Sequence, residues 1–309
     1  MSATRCSAAS INRGDDLAGT ASHVRAFLLV EEPGPWGRDA LKEARLPTGF
    51  GAELLRRCAA SGVRPLLIRR QEKGAFRTRA GGEAVPTHRR IFAAYVDPAR
   101  GFVETATVGD PLDLLDLDLV GLRKGRSVGL TRWDEPVFAV CTQGRHDACC
   151  AEKGRPVARA LTAVEPEATW QVSHLGGDRF AANLLVLDGG LYYGRLTPQA
   201  AIDVAARHRA GRLDLEHLRG RSCWPMPVQA TEIALRRRLG RDTTDGWRVA
   251  LLQRERRGDV VSARLATPDG IWEVTVRERR SEPVRLTCSA SREQPAVSWE
   301  LVAVAETSA

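Results

Sequence analysis

The chain has 309 residues, 43% hydrophobic and 27% charged, with a formal net charge of +8 and seven cysteines. That length suits two or three domains with ordinary cores, and no apolar run nears the eighteen residues that a membrane span needs. The chain has 42 arginines against four lysines, and the positive charge is spread over runs such as Arg236 to Arg238, Arg254 to Arg257 and Arg277 to Arg280, among glutamate and apolar neighbours. No zinc-finger or RNA-recognition motif accompanies it, so these runs read as solvated basic faces and nucleic acid is not an expected partner.

Residues 1–20 are small and polar without an apolar core, which excludes a secretory signal and suggests a disordered tail. Cytoplasmic residence is then expected, where cysteines stay free or metal-bound rather than in disulfides. Residues 24–31 (VRAFLLVE) read as an apolar strand ended by the Pro33-Gly34-Pro35 turn. Helical stretches follow at Arg38–Leu46 and Phe50–Ala60, the second with Leu54, Leu55 and Cys58 on one side. Arg64–Arg70 is a strand, 74–86 a glycine-rich loop, and Ile91–Val96 with Phe102–Val108 a hairpin. Leu112–Leu119 alternates leucine and acid too finely to assign. Trp133-Asp-Glu-Pro136 marks a boundary, so 21–132 forms a first α/β unit.

The order then repeats over 133–220. Val137–Val140 is a strand running into Cys141, and Asp147 can cap a short turn carrying Cys149 and Cys150. Pro156 is placed to start a helix over Val157–Val164. Trp170–Ser173 is a strand, Leu184–Leu187 and Leu191–Tyr193 flank a hairpin turn at Asp188-Gly189-Gly190, and Pro198–Arg209 is a helix. From 221 to 309 the character changes to a basic helix, Val228–Leu239, and strands at Trp247–Gln253, Val260–Ala266, Ile271–Arg277 and Val297–Val304. These make a small α+β appendage.

The chemistry concentrates in Cys141-Thr-Gln-Gly-Arg-His-Asp-Ala-Cys149-Cys150 and Ser173-His174-Leu-Gly-Gly-Asp178. Thiolate and imidazole are donors for zinc, copper and iron–sulfur centres. There is no Cys-x2-Cys pair, so a cluster held between two loops suits the spacing better than a zinc finger. Cys149 and Cys150 would lie in a first helical turn, where free N–H groups and the helix dipole lower thiol pKa. One of them should face the metal, leaving the other as core residue, reserve ligand or reactive thiol. Asp178 can pair with Arg179, accept from His174 and fix its tautomer, or ligate directly. Gly176 and Gly177 allow close backbone approach, and Asn183 and Arg195 can support the loop. Cys6, Cys58, Cys223 and Cys288 read as tail, core, structural and strand residues.

VCTQGRHDACCAEKGRPVARAL and WQVSHLGGDRFAANLLVLDGGLYYGRL, with LLVEEPGPWGRDAL near the start, resemble the sucrase/ferredoxin-like family over about residues 24 to 230. The resemblance implies a thioredoxin-like ferredoxin domain, here preceded by a second thioredoxin-like unit. It also implies a [2Fe–2S] cluster held by two cysteines and two histidines. By position those ligands fall on Cys141, Cys150, His174 and Asp178, with aspartate where the family has its second histidine. The expected function is electron transfer to a redox partner protein rather than an enzyme activity on its own substrate. Two other readings stay open: a metal-free thiol oxidoreductase using Cys149 or Cys150 with Cys141, and a cluster-free binding protein. No opposed carboxylate pair stands out for glycoside hydrolysis.

Overall fold

The computed structural model describes residues 5–71 and 88–307; the glycine-rich loop expected at 74–86 lies outside them. The first half runs α1 (Cys6–Asn12), β1 (Ala26–Glu31), α2 (Ala40–Glu43), α3 (Phe50–Ser61), β2 (Arg64–Arg69), β3 (Arg89–Tyr95), β4 (Phe102–Val108), α4 (Leu119–Arg123) and β5 (Thr131–Arg132). The second runs β6 (Phe138–Cys141), α5 (Ala148–Val164), β7 (Thr169–Val172), β8 (Leu184–Val186), β9 (Leu191–Tyr193), α6 (Pro198–Arg209) and β10 (Leu218–Arg221). Helix α7 (Met226–Leu239) leads to β11 (Ala250–Arg257), β12 (Val260–Thr267), β13 (Gly270–Val284) and β14 (Gln294–Thr307). Among the described residues, no helix is long and apolar enough to cross a membrane.

The protein is α/β, with one large sheet in the order β10-β9-β8-β6-β7-β2-β1-β3-β4-β5. Within it β2-β1-β3-β4 and β7-β6-β8-β9 repeat one pattern: the first pair is parallel and the later pairs are antiparallel. A parallel pair needs a crossover, which α3 supplies in the first unit and α5 in the second. The units join edge to edge where β2 meets β7, with Ile68 opposite Val172 and Arg69 opposite Gln171.

Strand alternation sorts the core into layers. Ala26, Leu28 and Val30 pack with Leu54 and Cys58 of α3, while Phe138, Val140 and Leu184 pack with Val157 and Leu161 of α5 and Val204 of α6. Phe27, Leu29, Ala139 and Cys141 belong to a third cluster, which continues through Val228 and Leu235 of α7 to Ala263, Leu265 and Val274. The second sheet, β11-β12-β13-β14, packs on α7, which also contacts β10 of the large sheet, and one hydrophobic cluster runs through all three. Strands buried on both faces read as unbroken apolar runs, as β1 does.

Several expectations need correction. Residues 5–20 are not a disordered tail: α1 buries Cys6, Ser7 and Ser10. Arg195 donates to Ser10 Oγ at 3.2 Å and to the Asp15 carbonyl at 2.5 Å, and Trp299 donates to the Gly19 carbonyl at 3.1 Å. The segment looks polar because its contacts are made by small residues. Helix α5 starts at Ala148, not at Pro156, because the Asp147 side chain accepts from Cys149 N–H. Its buried face, from Cys149 through Gly154 to Leu161, carries it past the proline. Residues Pro111–Asp116 form a 3-10 turn capped by Asp110, and Asp118 caps α4. Cys288 lies between β13 and β14 rather than in a strand.

The arginine runs are matched by acids across the second sheet. Arg256 and Arg280 pair with Glu278, Arg277 faces Asp259 at 3.6 Å, and Arg279 pairs with Glu300 at 2.6 Å. Arg236 is buried on α7, its Nε 2.9 Å from the buried Glu232 carboxylate. Glu232→Ala leaves that guanidinium without its counter-charge, so a stability loss of about 3–5 kcal/mol is expected. The measurement is a lower urea midpoint with the unfolding slope unchanged.

Candidate metal centre

The site forms where β6 and β7, parallel neighbours, deliver their C-terminal ends to one edge of the second unit. Cys141 closes β6 opposite Val172. Helix α5 passes close by: a Cβ on Gly154 would lie 2.0 Å from the Cys141 carbonyl oxygen, so only glycine fits this approach. Asp147 Oδ1 accepts the Cys149 N–H at 2.9 Å and sets the first turn. Consecutive helical side chains diverge by about 100°. Cys150 thus turns toward Cys141 and puts its Sγ 3.4 Å from Asp178 Oδ1, whereas Cys149 points toward Cys6 and Cys288.

The His174 loop is held from both halves of the molecule. Ser173 exchanges hydrogen bonds with Leu67, giving N–H to its carbonyl at 2.8 Å and accepting at Oγ at 3.0 Å. His174 N–H donates to Gln143 Oε1 at 2.7 Å, and Arg64 donates to the His174 carbonyl at 2.9 Å. The Gln143 amide also donates to the Gly37 carbonyl at 2.8 Å. Gly177, at φ +80°, has no room for a side chain, since a Cβ there would stand 2.2 Å from Arg219 Nη2. Asn183 donates to the Gly177 carbonyl at 3.0 Å.

Asp178 is 2% exposed and lies at the centre of the group. His174 Nδ1 stands 3.1 Å from its Oδ1, without the alignment of a hydrogen bond, and His146 Nε2 stands 3.9 Å from its Oδ2. The two imidazoles stack, with centroids 3.6 Å apart and planes 26° from parallel. The Cys150 thiol, donating to it, and then His174 and the Leu175 N–H outweigh burial and hold the Cys141 sulfur down at about 5. Cys150 is correspondingly pushed up by that thiolate and by burial. Burial opposes charge on His174, but Asp178 and the Cys141 thiolate raise it to about 9. Burial likewise opposes ionisation of Asp178, yet His174 keeps its carboxyl below the usual range. The buried Cys141 sulfur and Asp178 carboxyl thus favour their charged forms beside a His174 ring that is only partly exposed.

A family model for sucrase/ferredoxin-like proteins matches residues 17–220, about two thirds of the chain. The chain belongs to that family. No curated protein matches it, and neither does any solved structure. The matched span stops inside β10, so the family match covers neither α1 with Cys6 nor α7 and the second sheet with Cys288.

The buried Cys, His and Asp donors brought together here could hold a metal ion. The ligand atoms of Cys141, Cys150 and His174 lie within 4.8 Å of one another, as do those of His146, His174 and Asp178. His174 Nδ1 is buried without an aligned hydrogen-bond partner among the described residues, as a nitrogen kept for a metal would be. Cys149 is not brought to this group. His146 is, although it was not among the expected ligands. The available signal was its place in the same loop as three cysteines. Gln143, which ties this loop to the His174 backbone, carried no sequence signal.

Proposed function

We infer that this chain is a soluble iron–sulfur electron-transfer protein, in which Cys141, Cys150, His174 and Asp178 would hold a [2Fe–2S] cluster. The convergence of two buried sulfurs, an imidazole and a carboxylate from two loops carries the reading. Bound there, the cluster supplies a one-electron couple. The protein supplies the thiolate at Cys141, exclusion of water from both sulfurs, and a half-buried imidazole pair facing outward. His146 and His174 border an open groove of about 430 Å³, lined also by Arg38, Glu43, Arg64 and Gln143, and a redox partner would dock there. The protein is a carrier rather than an enzyme with its own substrate, and its seven free cysteines suit the reducing cytoplasm.

The thiol-oxidoreductase reading has less support. Cys141, Cys149 and Cys150 are at most 1% exposed, out of reach of a protein disulfide, and Cys149 faces away from Cys141. A mononuclear ion has a specific observation behind it: contacts of 3.4 Å from Cys150 to Asp178 and 3.1 Å from His174 to Asp178 are spacings of donors around one ion. Purification without oxygen separates these readings. A red-brown protein with iron and sulfide in equal amounts, and a paramagnetic signal on reduction, is the expected result. Colourless protein with zinc supports the mononuclear ion, and metal-free protein overturns both.

A further inference from the structure

On the opposite side of the first turn of α5, three cysteines from remote parts of the chain meet. Cys6 comes from α1, Cys149 from α5 and Cys288 from the connection between β13 and β14. Their sulfurs form a triangle: Cys6 to Cys149 is 3.6 Å, Cys149 to Cys288 is 3.3 Å and Cys288 to Cys6 is 3.5 Å. A disulfide needs about 2.05 Å, so the three are not cross-linked. A tetrahedral ion with zinc–sulfur bonds near 2.3 Å places its sulfurs about 3.8 Å apart, and the triangle's sides lie within about half an ångström of that. So small a triangle has the dimensions of donors around a single ion.

The fourth corner is the buried carboxylate of Asp147. Both its oxygens lie 3.8 Å from Cys6 Sγ. Its orientation is fixed by two backbone donors, the Cys149 N–H at 2.9 Å on Oδ1 and the Cys288 N–H at 2.7 Å on Oδ2. All four ligand atoms lie within 4.8 Å of one another. The sulfurs are in turn supported by donors, Ser7 Oγ to Cys149 at 3.3 Å and Cys6 N–H to Cys288 at 3.5 Å. Such outer hydrogen bonds orient the ligands of a metal–thiolate site.

We propose that Cys6, Cys149, Cys288 and Asp147 form a second, structural site for a single thiophilic d10 cation, zinc, separate from the Cys141–Cys150–His174–Asp178 centre. Binding releases the thiol protons and leaves the three sulfurs and one carboxylate oxygen on the ion. The ion staples three segments that share no local sequence: the N-terminal helix, the start of α5 and the far loop of the second sheet. Because α1 also packs on the Asp178–Phe180 turn, the staple braces the neighbouring centre from behind.

The proposal does not rest on the nature of that neighbouring centre. Full-length protein purified under reducing conditions should hold a zinc that Cys288→Ser lacks and Cys141→Ser retains, whatever the neighbouring centre binds. Zinc-edge X-ray absorption on the wild type, which needs no variant to fold, should show three sulfurs and one oxygen. Cobalt exchanged into the site should give the visible bands of tetrahedral thiolate coordination. Equal zinc in wild type and folded Cys288→Ser would overturn the proposal. So would an all-sulfur or all-oxygen shell in the wild type, or a disulfide among Cys6, Cys149 and Cys288 in freshly reduced protein.

Discussion

Cys141→Ser and Cys150→Ser are each expected to abolish the visible charge-transfer absorption and to lower bound iron more than about tenfold. Cys141 is the sulfur already held as thiolate by Cys150, His174 and the Leu175 N–H, so it is the donor most prepared for a metal. Cys150 sits across from it, in contact with Asp178. Serine keeps the size but not the soft donor, and at neutral pH its hydroxyl stays protonated. The fold should survive: a buried hydroxyl costs about 1–3 kcal/mol where it lacks a partner, and Cys141 N–H still bonds the Asn183 carbonyl at 2.9 Å. The measurement is the visible spectrum and iron content beside circular dichroism. An unchanged spectrum in either folded variant removes that cysteine from the ligand set. A spectrum lost only together with the fold would assign the residue a packing role.

What could be read in advance follows from the range of the interactions. Strands β1 and β6 were legible because burial on both faces writes continuous apolar runs. The hairpin of β8 and β9 was legible because its turn chemistry is local. Asp147 was legible as a cap, yet the helix it starts was cut short by taking Pro156 for a first-turn residue, when the buried face of α5 outweighs the one lost N–H. The His174 loop could be placed beside the Cys141 loop only through the family resemblance. Nothing local joins Cys6 to Cys149, 143 residues away, or Cys149 to Cys288, 139 residues away. Cys6 and Cys288 looked inert because their partners are supplied by tertiary packing. Gln143 and Arg219 escaped for the same reason, since a polar residue gives no periodic signal of a distant backbone partner.

Arg219→Met should cost about 3–5 kcal/mol of stability, with the His174 loop loosened as well. Arg219 is only 1% exposed and is among the largest fully buried side chains. Its Nε donates to Thr20 Oγ1 at 3.1 Å and its Nη2 to the Thr20 carbonyl at 2.6 Å. Its Nη1 donates to the Gly176 carbonyl at 2.9 Å and to Asn183 Oδ1 at 2.8 Å. One guanidinium thus ties the segment after α1 to the glycine pair beside Asp178. Burial lowers its pKa to about 10, so it stays charged at neutral pH. Phe180 and Tyr192 lie 5.2 and 5.7 Å from its central carbon and offset part of that burial. Methionine fills much of the volume but leaves two backbone carbonyls and an amide oxygen without donors in a dry interior. Arg219→Lys should recover less than about half of the loss, because one ammonium cannot reproduce the planar fork. Urea unfolding of the three proteins measures this, with metal content of the folded variants reporting the loop. A loss below about 1 kcal/mol for Arg219→Met would mean that water satisfies these carbonyls and that the loop is held instead by Gln143 and Arg64.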